Sequence, residues 1–485
     1  MAFALRHLDM PDPAILPAPS LLIAVTGGPG TSKTRLLAEL AAAQIAAGQR
    51  VEGVLSIAGN RVTPKQGAGE YCLRIIGSDS EHPWATRDEK LNPPYFFEPG
   101  ATKKLQAWAE RLRNLPPPPL LLLDEFGKFE LRGLGLMPVW PLLVEAAPHI
   151  VVISVRNDLL ATVEALLGRK FDLCITAEAP DALARLELAC REYGEWTRIG
   201  LFGGASGGLE MTVGSALHAA KLPAGLVMSS LQVWLMVLAG TGLRQPGRVV
   251  WVPFISGGLK ALSPAGNRVR PMIAIIIQGL LFGGTVQALG WNFLSIGLGG
   301  ALVGAWAALQ GFVLQYLLMG TDLVRAYDAV VLWLANRWHI AAPGLPWLLG
   351  AWAALHAVGA SGTALMAWYL RRPPAVLQGI IDREASHAAG LPGVMPQRVG
   401  WVQRLREFGR WQFWLPLLIV AIILVGSGRP WAAVAWLVLR FFAVSCVLIA
   451  LVSLLRPARW AEALRRHGWW GPALAFSGAL RRREK

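Results

Sequence analysis

The chain has 485 residues and a formal net charge of +15, from 46 Lys and Arg against 31 Asp and Glu. The basic excess lies wholly after residue 200, because the first 200 residues carry a net −2 and the remainder a net +17. Basic loops between long apolar stretches are typical of a membrane protein. A nucleic-acid groove needs a basic face on a folded soluble domain, and we therefore expect no nucleic-acid partner.

The four cysteines are widely separated, so no pair has the spacing of a zinc or redox motif and nothing indicates a disulfide framework. Residues 1–19 contain four prolines and no apolar stretch of signal-peptide length. We interpret them as a flexible leader. The domain that follows is therefore expected to stay in the cytosol.

The first motif is "TGGPGTSKT", which follows the apolar run "LLIAV" and precedes a helix pattern. A strand, a glycine-rich loop and a helix in this order are the context of the phosphate-binding motif G-x-x-x-x-G-K-[ST]. Loop N–H groups at a helix N-terminus can cradle phosphate oxygens. We predict that Lys33 contacts the β- and γ-phosphates and that Thr34 ligates Mg²⁺. The predicted nucleotide-binding residues are Gly27, Gly28, Pro29, Gly30, Thr31, Ser32, Lys33 and Thr34.

One position departs from this motif. Ser32 stands where the motif has its second glycine, and its side chain could crowd the backbone, although serine is small. An ordinary glycine turn ahead of a helix is the alternative interpretation of the loop.

The second motif is "LLLLDEFGKFEL", residues 120–131. Four leucines predict a buried strand that ends in Asp124 and Glu125. This is the Walker B pattern, in which the aspartate holds the Mg²⁺ shell and the glutamate orients the attacking water. We therefore predict Lys33 and Glu125 as catalytic residues, Asp124 with Thr34 as metal ligands, and Mg²⁺ as the cofactor.

Together with "GEYCLRIIGSDSEHPWA", these two motifs resemble the small P-loop nucleoside triphosphatases that carry D-E-x-G-x-x-E-L. The resemblance implies an α/β P-loop NTPase domain over residues 20–195, with a mainly parallel sheet and slow hydrolysis of a nucleoside triphosphate. "PHIVVISVRND" is expected to be a further strand, with Arg156 at its carboxyl end. Arg156 is either a charge stabiliser near the phosphates or a solvated surface arginine.

After residue 200 the apolar stretches predict an all-α polytopic membrane domain with about eight spans. We predict six spans within residues 200–370, a basic cytosolic linker at 371–410, and a two-helix hairpin with a basic amphipathic tail at 411–485. Within the first part, 249–264 either spans or re-enters the bilayer, and 327–340 is expected at the interface. The basic linker and tail place both segments on the cytosolic side, with the NTPase domain.

Three stretches of the membrane part, "ALHAAKLPAG", "GLKALSPAGNRVRP" and "IIIQGLLFGGTVQALGWNFLSIGLGGALVG", resemble the substrate-binding (S) components of energy-coupling-factor transporters. The third is especially similar to the cobalt and nickel transport subunits, but this chain lacks their metal-binding Met-His start. The stretch "LLRPARWAEALRRHGW" has a weaker similarity to the coupling helices of the T component. A basic amphipathic helix on anionic lipid is its alternative interpretation.

Polar residues inside membrane spans are costly and are therefore site candidates. The predicted solute-binding candidates are Glu210, His218, Gln278 and Asn292. The last two lie in the stretch that resembles the S component, and His218 follows Glu210 by about two helical turns. Hydrogen bonds between helices are the alternative role for each of them.

Two functional hypotheses follow from the sequence. The first is a transport protein in which ATP or another nucleoside triphosphate drives uptake of a vitamin-like or metal-related solute, with or without other transporter subunits. The second is a membrane-anchored nucleoside triphosphatase whose helices localise or regulate it. Both place the chain in the lipid bilayer of a bacterial-type plasma membrane. Clustering of the intramembrane polar residues around one cavity would favour transport, and separate helix contacts would favour anchoring.

Overall fold

The computed structural model describes residues 20–59, 69–78, 81–87, 90, 95–219, 224–260, 269–338, 344–386, 411–454 and 457–484. The predicted leader and residues 387–410 of the predicted linker lie outside these ranges. The chain divides into two compact units. Unit 1 comprises the chain up to Trp196 together with Leu464–Leu474, and unit 2 comprises Thr197–Ala463 and Ala475–Lys485.

Unit 1 is built on a mixed eight-stranded sheet with the spatial order β5-β4-β3-β2-β6-β7-β1-β8. The strands are β1 (Leu21–Gly27), β2 (Val51–Ala58), β3 (Glu70–Ile75), β4 (Glu81–Arg87), β5 (Tyr95–Phe97), β6 (Leu120–Leu123), β7 (Ile150–Arg156) and β8 (Leu173–Thr176). Strands β2, β6, β7, β1 and β8 are parallel, whereas β3, β4 and β5 extend the sheet in antiparallel fashion.

The centre of the sheet follows directly from the sequence. Strands β1, β6 and β7 are nearly continuous runs of Leu, Ile and Val, as expected for parallel strands that are buried on both faces. Their carboxyl ends lie at one edge of the sheet. Strand β7 lies between β1 and β6, so the residues that follow these three strands meet on the same side.

Four helices, α1 (Lys33–Ala46), α2 (Pro99–Arg113), α3 (Trp140–Glu145) and α4 (Leu160–Leu166), accompany the sheet. Helix α2 illustrates how a helix of this unit buries one face. Its residues Leu105, Trp108 and Leu112 recur at helical spacing and are buried. The predicted α/β character of this region is confirmed. The sheet is mixed because the edge beyond β2 is a meander of short antiparallel strands.

The rest of the described chain is helical. Helix α5 (Ala182–Met211) begins in unit 1 and ends in unit 2. The helices that follow are α6 (Val213–Ala219), α7 (Ala224–Gly240), α8 (Trp251–Lys260), α9 (Val269–Leu289), α10 (Phe293–Met319), α11 (Thr321–Trp338), α12 (Leu345–Leu370), α13 (Ala375–Ser386), α14 (Trp411–Gly426), α15 (Trp431–Leu454), α16 (Pro457–Arg466) and α17 (Trp470–Glu484).

Within the described residues, three helices are long and apolar enough to cross a membrane, at Pro271–Leu289, Phe293–Met319 and Leu345–Leu370. Shorter apolar helices occur at Gly225–Gly240, Trp414–Gly426 and Trp431–Val447. Three candidate spans are compatible with the predicted membrane character of this half, and eight spans remain a prediction.

One predicted span, 200–219, is interrupted in the structure. The stretch 200–219 is divided between the end of α5 and α6, and residues 251–260 of the stretch 249–264 form α8. The stretch 327–340 belongs largely to α11, which carries Asp322 and Arg325 in an ion pair.

Small residues let α10 approach its neighbours closely. A Cβ atom on Gly300 would lie 2.8 Å from the Ala364 side chain of α12, and one on Gly299 would lie 2.9 Å from the Phe282 ring of α9. Glycines at these positions therefore permit backbone contact between the helices, as small residues do in membrane helix pairs. The glycines of "GLGGALVG" have this packing role in the structure.

The C-terminal segment Leu464–Leu474 contributes a buried ion pair to unit 1. Arg465 Nε lies 2.8 Å from Oδ1 of Asp172, whose carboxylate is almost fully buried. The other oxygen of Asp172 accepts from the Leu22 N–H at 3.0 Å and from Arg169 at 2.6 Å. Removing one partner of a buried charge is strongly destabilising. A fragment cut near residue 195 loses Arg465, so experiments on this unit need the full chain.

Candidate functional site

The candidate site begins with the loop between β1 and α1. Gly30 and Ser32 both have positive φ, at 77° and 57°, and the helix starts at Lys33. Left-handed backbone is the conformation that glycine adopts most readily, which explains why the related motif has glycine at the position of Ser32. The serine therefore keeps the turn but holds it in a conformation that is unfavourable for its side chain.

Lys33 folds back over this loop. Its Nζ atom donates to the carbonyl oxygens of Gly28 and Gly27, at 2.6 and 3.3 Å. Burial lowers the pKa of Lys33, whereas the negative charges of Glu125 and Asp124 act to raise it. The lysine ammonium thus lies close to the acidic pair that follows β6.

The Asp124 carboxylate accepts several hydrogen bonds from its surroundings. Its Oδ1 atom accepts from Ser154 Oγ at 2.6 Å and its Oδ2 atom from the Ser56 N–H at 3.2 Å. The Thr34 side chain lies near this carboxylate and acts to lower its pKa, so the loop meets the end of β6 here. Burial raises the pKa of Asp124, and these hydrogen bonds act in the opposite direction.

Glu125 also has left-handed backbone, with φ 57°. Its N–H donates to Ser154 Oγ at 2.7 Å, which fixes the backbone beside Asp124. Burial and the adjacent Asp124 charge raise the pKa of the Glu125 carboxyl to about 7, although solvent reaches the side chain. Strained backbone of this kind in a non-glycine residue is concentrated at functional sites.

Two further residues support the acidic pair, and sequence reasoning did not single them out. Ser154 lies in the middle of the apolar strand β7 and donates to Asp124. A polar residue between Ile153 and Val155 was the feature of the sequence that could have identified it. Glu130 is buried, and its carboxylate accepts from the N–H groups of Gly127 at 2.7 Å and Leu136 at 3.1 Å. Glu130 thereby fixes the backbone of the segment that follows Glu125. In the sequence it is the last acidic residue of D-E-x-G-x-x-E-L, and this position could have identified it.

Arg156 lies at the carboxyl end of β7, opposite Gly27 in the strand register. Its guanidinium is partly exposed and donates twice to Asp158, at 2.9 and 3.0 Å. It is therefore a paired surface arginine at the edge of the site. A phosphate near Gly27 would have to compete with Asp158 for it.

The donor set suits a magnesium ion. The Thr34 side chain lies near the Asp124 carboxylate, so one hydroxyl and one carboxylate can face the same ion. Mg²⁺ is usually held by one or two protein carboxylates, with phosphates and waters completing its shell. Among the described residues there is no cluster of three or more His, Cys, Asp or Glu side chains for a metal.

Three of the four predicted solute candidates have described side chains, and each has its own surroundings. Glu210 lies 3.6 Å from Lys260 of α8, and that lysine also donates to the Glu210 carbonyl oxygen at 2.9 Å. Asn292 is the N-cap of α10, where its side chain accepts from the Ser295 N–H at 3.0 Å. Gln278 is buried in α9, and its Oε1 atom has no hydrogen-bond partner there.

His218 lies in α6, and its side chain lies outside the described residues. Of the three candidates with described side chains, Glu210 forms a helix–helix ion pair, Asn292 caps a helix, and Gln278 keeps an unused polar atom.

None of the comparisons identifies a relative, since no family model, no curated protein and no solved structure matches the chain.

The geometry of the loop predicts that Ser32→Gly stabilises the chain. Glycine removes the cost of left-handed backbone and loses more entropy on folding, so we expect a net gain of about 0.5–1 kcal/mol. The measurement is the thermal unfolding midpoint of the full chain in detergent. Ala47→Gly is the matched control at the other end of α1, where φ is −80° and glycine should lower the midpoint. A lower midpoint for Ser32→Gly would contradict the inference that the left-handed backbone of Ser32 is strained.

The cap of α10 predicts that Asn292→Ala destabilises unit 2. The side chain satisfies an otherwise free N–H group of the first helical turn, and the loss of such a cap costs about 1 kcal/mol. Thermal unfolding in detergent measures it. Asn292→Ser retains a capping oxygen and should recover most of the stability. Equal midpoints for wild type and Asn292→Ala would show that the cap contributes nothing and would restore Asn292 as a ligand candidate.

Proposed function

We propose that unit 1 is a P-loop nucleoside triphosphatase of the D-E-x-G-x-x-E-L type. The observation that carries this proposal is the proximity of the Thr34 side chain to the Asp124 carboxylate, which brings the loop after β1 and the acidic end of β6 together. Lys33 and Glu125 flank that contact, each electrostatically coupled to the other. Cation, hydroxyl, metal-binding carboxylate and second carboxylate are the groups that phosphoryl transfer to water requires.

In the proposed reaction each group has one task. N–H groups of the loop and the start of α1 bind phosphate oxygens, and Lys33 neutralises charge on the β- and γ-phosphates. Asp124 and Thr34 would hold Mg²⁺, which supplies further charge neutralisation at the phosphates. Glu125 orients the attacking water and accepts its proton. Ser154 acts as a positioning residue, because it bonds both the Asp124 carboxylate and the Glu125 N–H.

We further propose that the chain is an integral protein of a bacterial-type plasma membrane, with about eight spans. Three apolar helices of spanning length support membrane integration. The net +17 after residue 200 supports basic segments on the cytosolic side, where the nucleotide unit and the C-terminal tail would also lie.

The arrangement of polar residues favours a membrane-anchored nucleoside triphosphatase whose helices localise or regulate it. A solute site requires polar groups that converge on one cavity. Glu210 instead pairs with Lys260, and Asn292 caps its own helix. Both side chains are therefore already used within the protein.

A second candidate function is uptake of a vitamin-like or metal-related solute, with or without partner subunits. It is favoured by Gln278, whose buried amide oxygen has no hydrogen-bond partner among the described residues. Such an atom costs about 1–3 kcal/mol unless a ligand or water satisfies it. The resemblance of the surrounding stretch to S components of energy-coupling-factor transporters agrees with this candidate.

The test of the proposed activity is release of inorganic phosphate from ATP by the purified full chain in detergent. We expect slow release that requires Mg²⁺ and stops when the metal is chelated. Absence of both nucleotide binding and phosphate release, in protein that unfolds cooperatively, would refute the proposal. Mass spectrometry of small molecules that co-purify with the wild type, and are lost with Gln278→Ala, would distinguish transport from anchoring.

A further inference from the structure

Three helices of unit 2 end around two tryptophans, Trp291 and Trp368. Trp291 follows α9, and its ring packs so closely on Gly240, the last residue of α7, that no side chain would fit there. The centroids of the Trp291 and Trp368 rings are 6.1 Å apart, and Trp368 lies near the end of α12. The ends of α7, α9 and α12 therefore lie together at one end of unit 2.

Five arginines belong to this end of unit 2. The guanidinium of Arg198 donates to the carbonyl oxygens of Leu238 and Ala239, close to the end of α7, at 2.6 and 3.1 Å. Two more arginines lie in the segment 241–250 that connects α7 to α8, where Gly247 packs against Gln287 near the end of α9. The last two follow α12. We call these residues the arginine cluster: Arg198, Arg244, Arg248, Arg371 and Arg372.

Arg371 and Arg372 present their side chains to the surroundings of the protein, since both are exposed. The guanidinium carbon of Arg371 lies 6.0 Å from the centroid of the Trp368 ring, within the range of a cation–π contact. The carbonyl oxygen of Arg372 accepts from Trp234 Nε1 of α7 at 3.2 Å, which fixes the backbone here. Within the described part of the chain, neither guanidinium forms an ion pair. Both can therefore donate to an anion from outside the protein.

The sequence around the cluster supplies no compensating negative charge. Four of the five arginines lie in the stretches 211–321 and 329–381, which contain nine Lys and Arg and no Asp or Glu. An anion at this end of unit 2 would meet attraction from the cluster without repulsion from a carboxylate of these stretches.

Exposed apolar side chains border the arginines. Phe293 and Leu294 follow Trp291 directly, and Leu294 is 76% exposed. Tyr369 comes shortly before Arg371 and is 85% exposed. Apolar and aromatic side chains beside basic ones are typical of the membrane interface, where acyl chains meet head groups. The surface thus fits a partner with a negative head and an apolar tail.

We propose that this end of unit 2 binds an anionic phospholipid. Arg371 and Arg372 would donate to oxygens of the head-group phosphate, because a guanidinium matches phosphate geometry with paired N–H groups. Leu294 and Tyr369 would contact the acyl chains. A free phosphate would use the arginines alone, so the apolar border favours the lipid. The proposal goes beyond nucleotide hydrolysis and rests on the proposed membrane integration.

Phosphatidylglycerol and phosphatidylcholine with the same acyl chains provide the test. Native mass spectrometry of the full chain in detergent measures the binding of each lipid. We expect phosphatidylglycerol to bind about ten-fold more tightly, since each basic side chain near an anionic head group contributes several-fold. Equal affinities would overturn the proposal. Glycerol phosphate, which lacks the acyl chains, should not bind at the concentrations that saturate with phosphatidylglycerol, and equal binding would refute a lipid site.

Two double variants locate the site. Arg371→Gln with Arg372→Gln should lower the affinity for phosphatidylglycerol about ten-fold and leave that for phosphatidylcholine unchanged. The matched control is Arg337→Gln with Arg429→Gln, which removes two exposed arginines elsewhere in unit 2. Arg337 precedes α12, a 26-residue helix about 39 Å long, whereas the cluster follows it. Equal effects of the two double variants would refute the assignment.

The membrane integration on which the lipid site rests has its own measurement. Isolated membranes are washed with alkaline carbonate and then extracted with detergent. We expect the chain to resist carbonate and to appear only in the detergent extract. A chain that resists carbonate but binds both lipids equally would refute the lipid site alone, whereas release by carbonate would refute the membrane integration and the lipid site together.

Discussion

Replacing Lys33 by alanine should weaken binding of ATP with Mg²⁺ to the full chain by about ten- to one-hundred-fold. The Lys33 ammonium is held over the loop by the carbonyl oxygens of Gly28 and Gly27, at the point where phosphates would lie. Its loss removes a charge-assisted hydrogen bond to the β- and γ-phosphates and leaves the neighbouring carboxylates without a counter-charge. Equilibrium titration with a fluorescent ATP analogue measures the change.

The matched control is Lys128→Ala. Lys128 is an exposed lysine in the stretch that follows Glu125, so its removal changes the net charge by the same amount near the same edge. We expect less than about a two-fold effect, because screened surface charges contribute little. If Lys33→Ala and Lys128→Ala weaken binding equally, the lysine of the loop has no specific contact with the phosphates. Unchanged binding in Lys33→Ala would remove the loop from the site.

The sequence predicts much of unit 1 because its signals are local. Apolar runs give the buried parallel strands, and the glycine-rich loop between a strand and a helix gives the start of α1 at Lys33. The placement of Asp124 at the end of β6 follows in the same way. Contacts between distant segments were not predictable. Ser154 meets Asp124 only because β7 lies beside β6, and strand order is not encoded in any short motif.

The helical half of the chain is less predictable from its sequence than unit 1. Hydropathy locates apolar segments, but it does not show where a helix starts or which polar atoms are already bonded. Asn292 was a reasonable ligand candidate by composition, and in the structure it begins α10 as a capping residue. Glu210 similarly finds Lys260, fifty residues later in the chain. Such pairs depend on how helices pack, which a single sequence does not reveal.

The C-terminal segment gives a further example. Its basic residues predicted contact with lipid or a coupling role, both of which concern its surface. Arg465 instead pairs with the buried carboxylate of Asp172, whose other partners are Arg169 and the Leu22 N–H. Asp172 lies next to β8 and at the amino end of β1, the strand that leads into the loop. The candidate site and the segment Leu464–Leu474 therefore belong to the same unit.

Glu125→Gln should retain nucleotide binding and reduce turnover by about 10²- to 10⁴-fold. The amide keeps the shape of the side chain and its place beside Asp124 but cannot accept the proton of the attacking water. The measurement pairs the ATP affinity with the rate of phosphate release at saturating ATP. Ser154→Ala provides a contrast, because it would disturb Asp124 and Glu125 together and should weaken both binding and turnover.

The pH dependence gives a more specific test of the same residue. Burial and the Asp124 charge raise the pKa of Glu125 to about 7. The pH dependence of kcat/KM reports the pKa values of the enzyme before substrate binds. Because the deprotonated carboxylate is the active form, kcat/KM should rise with pH through about pH 7 and level off above it. Glu130→Gln removes a like charge that also raises this pKa, so the rise should move to lower pH. The rise should vanish in Glu125→Gln, and a profile that keeps it there would assign the titration to another group.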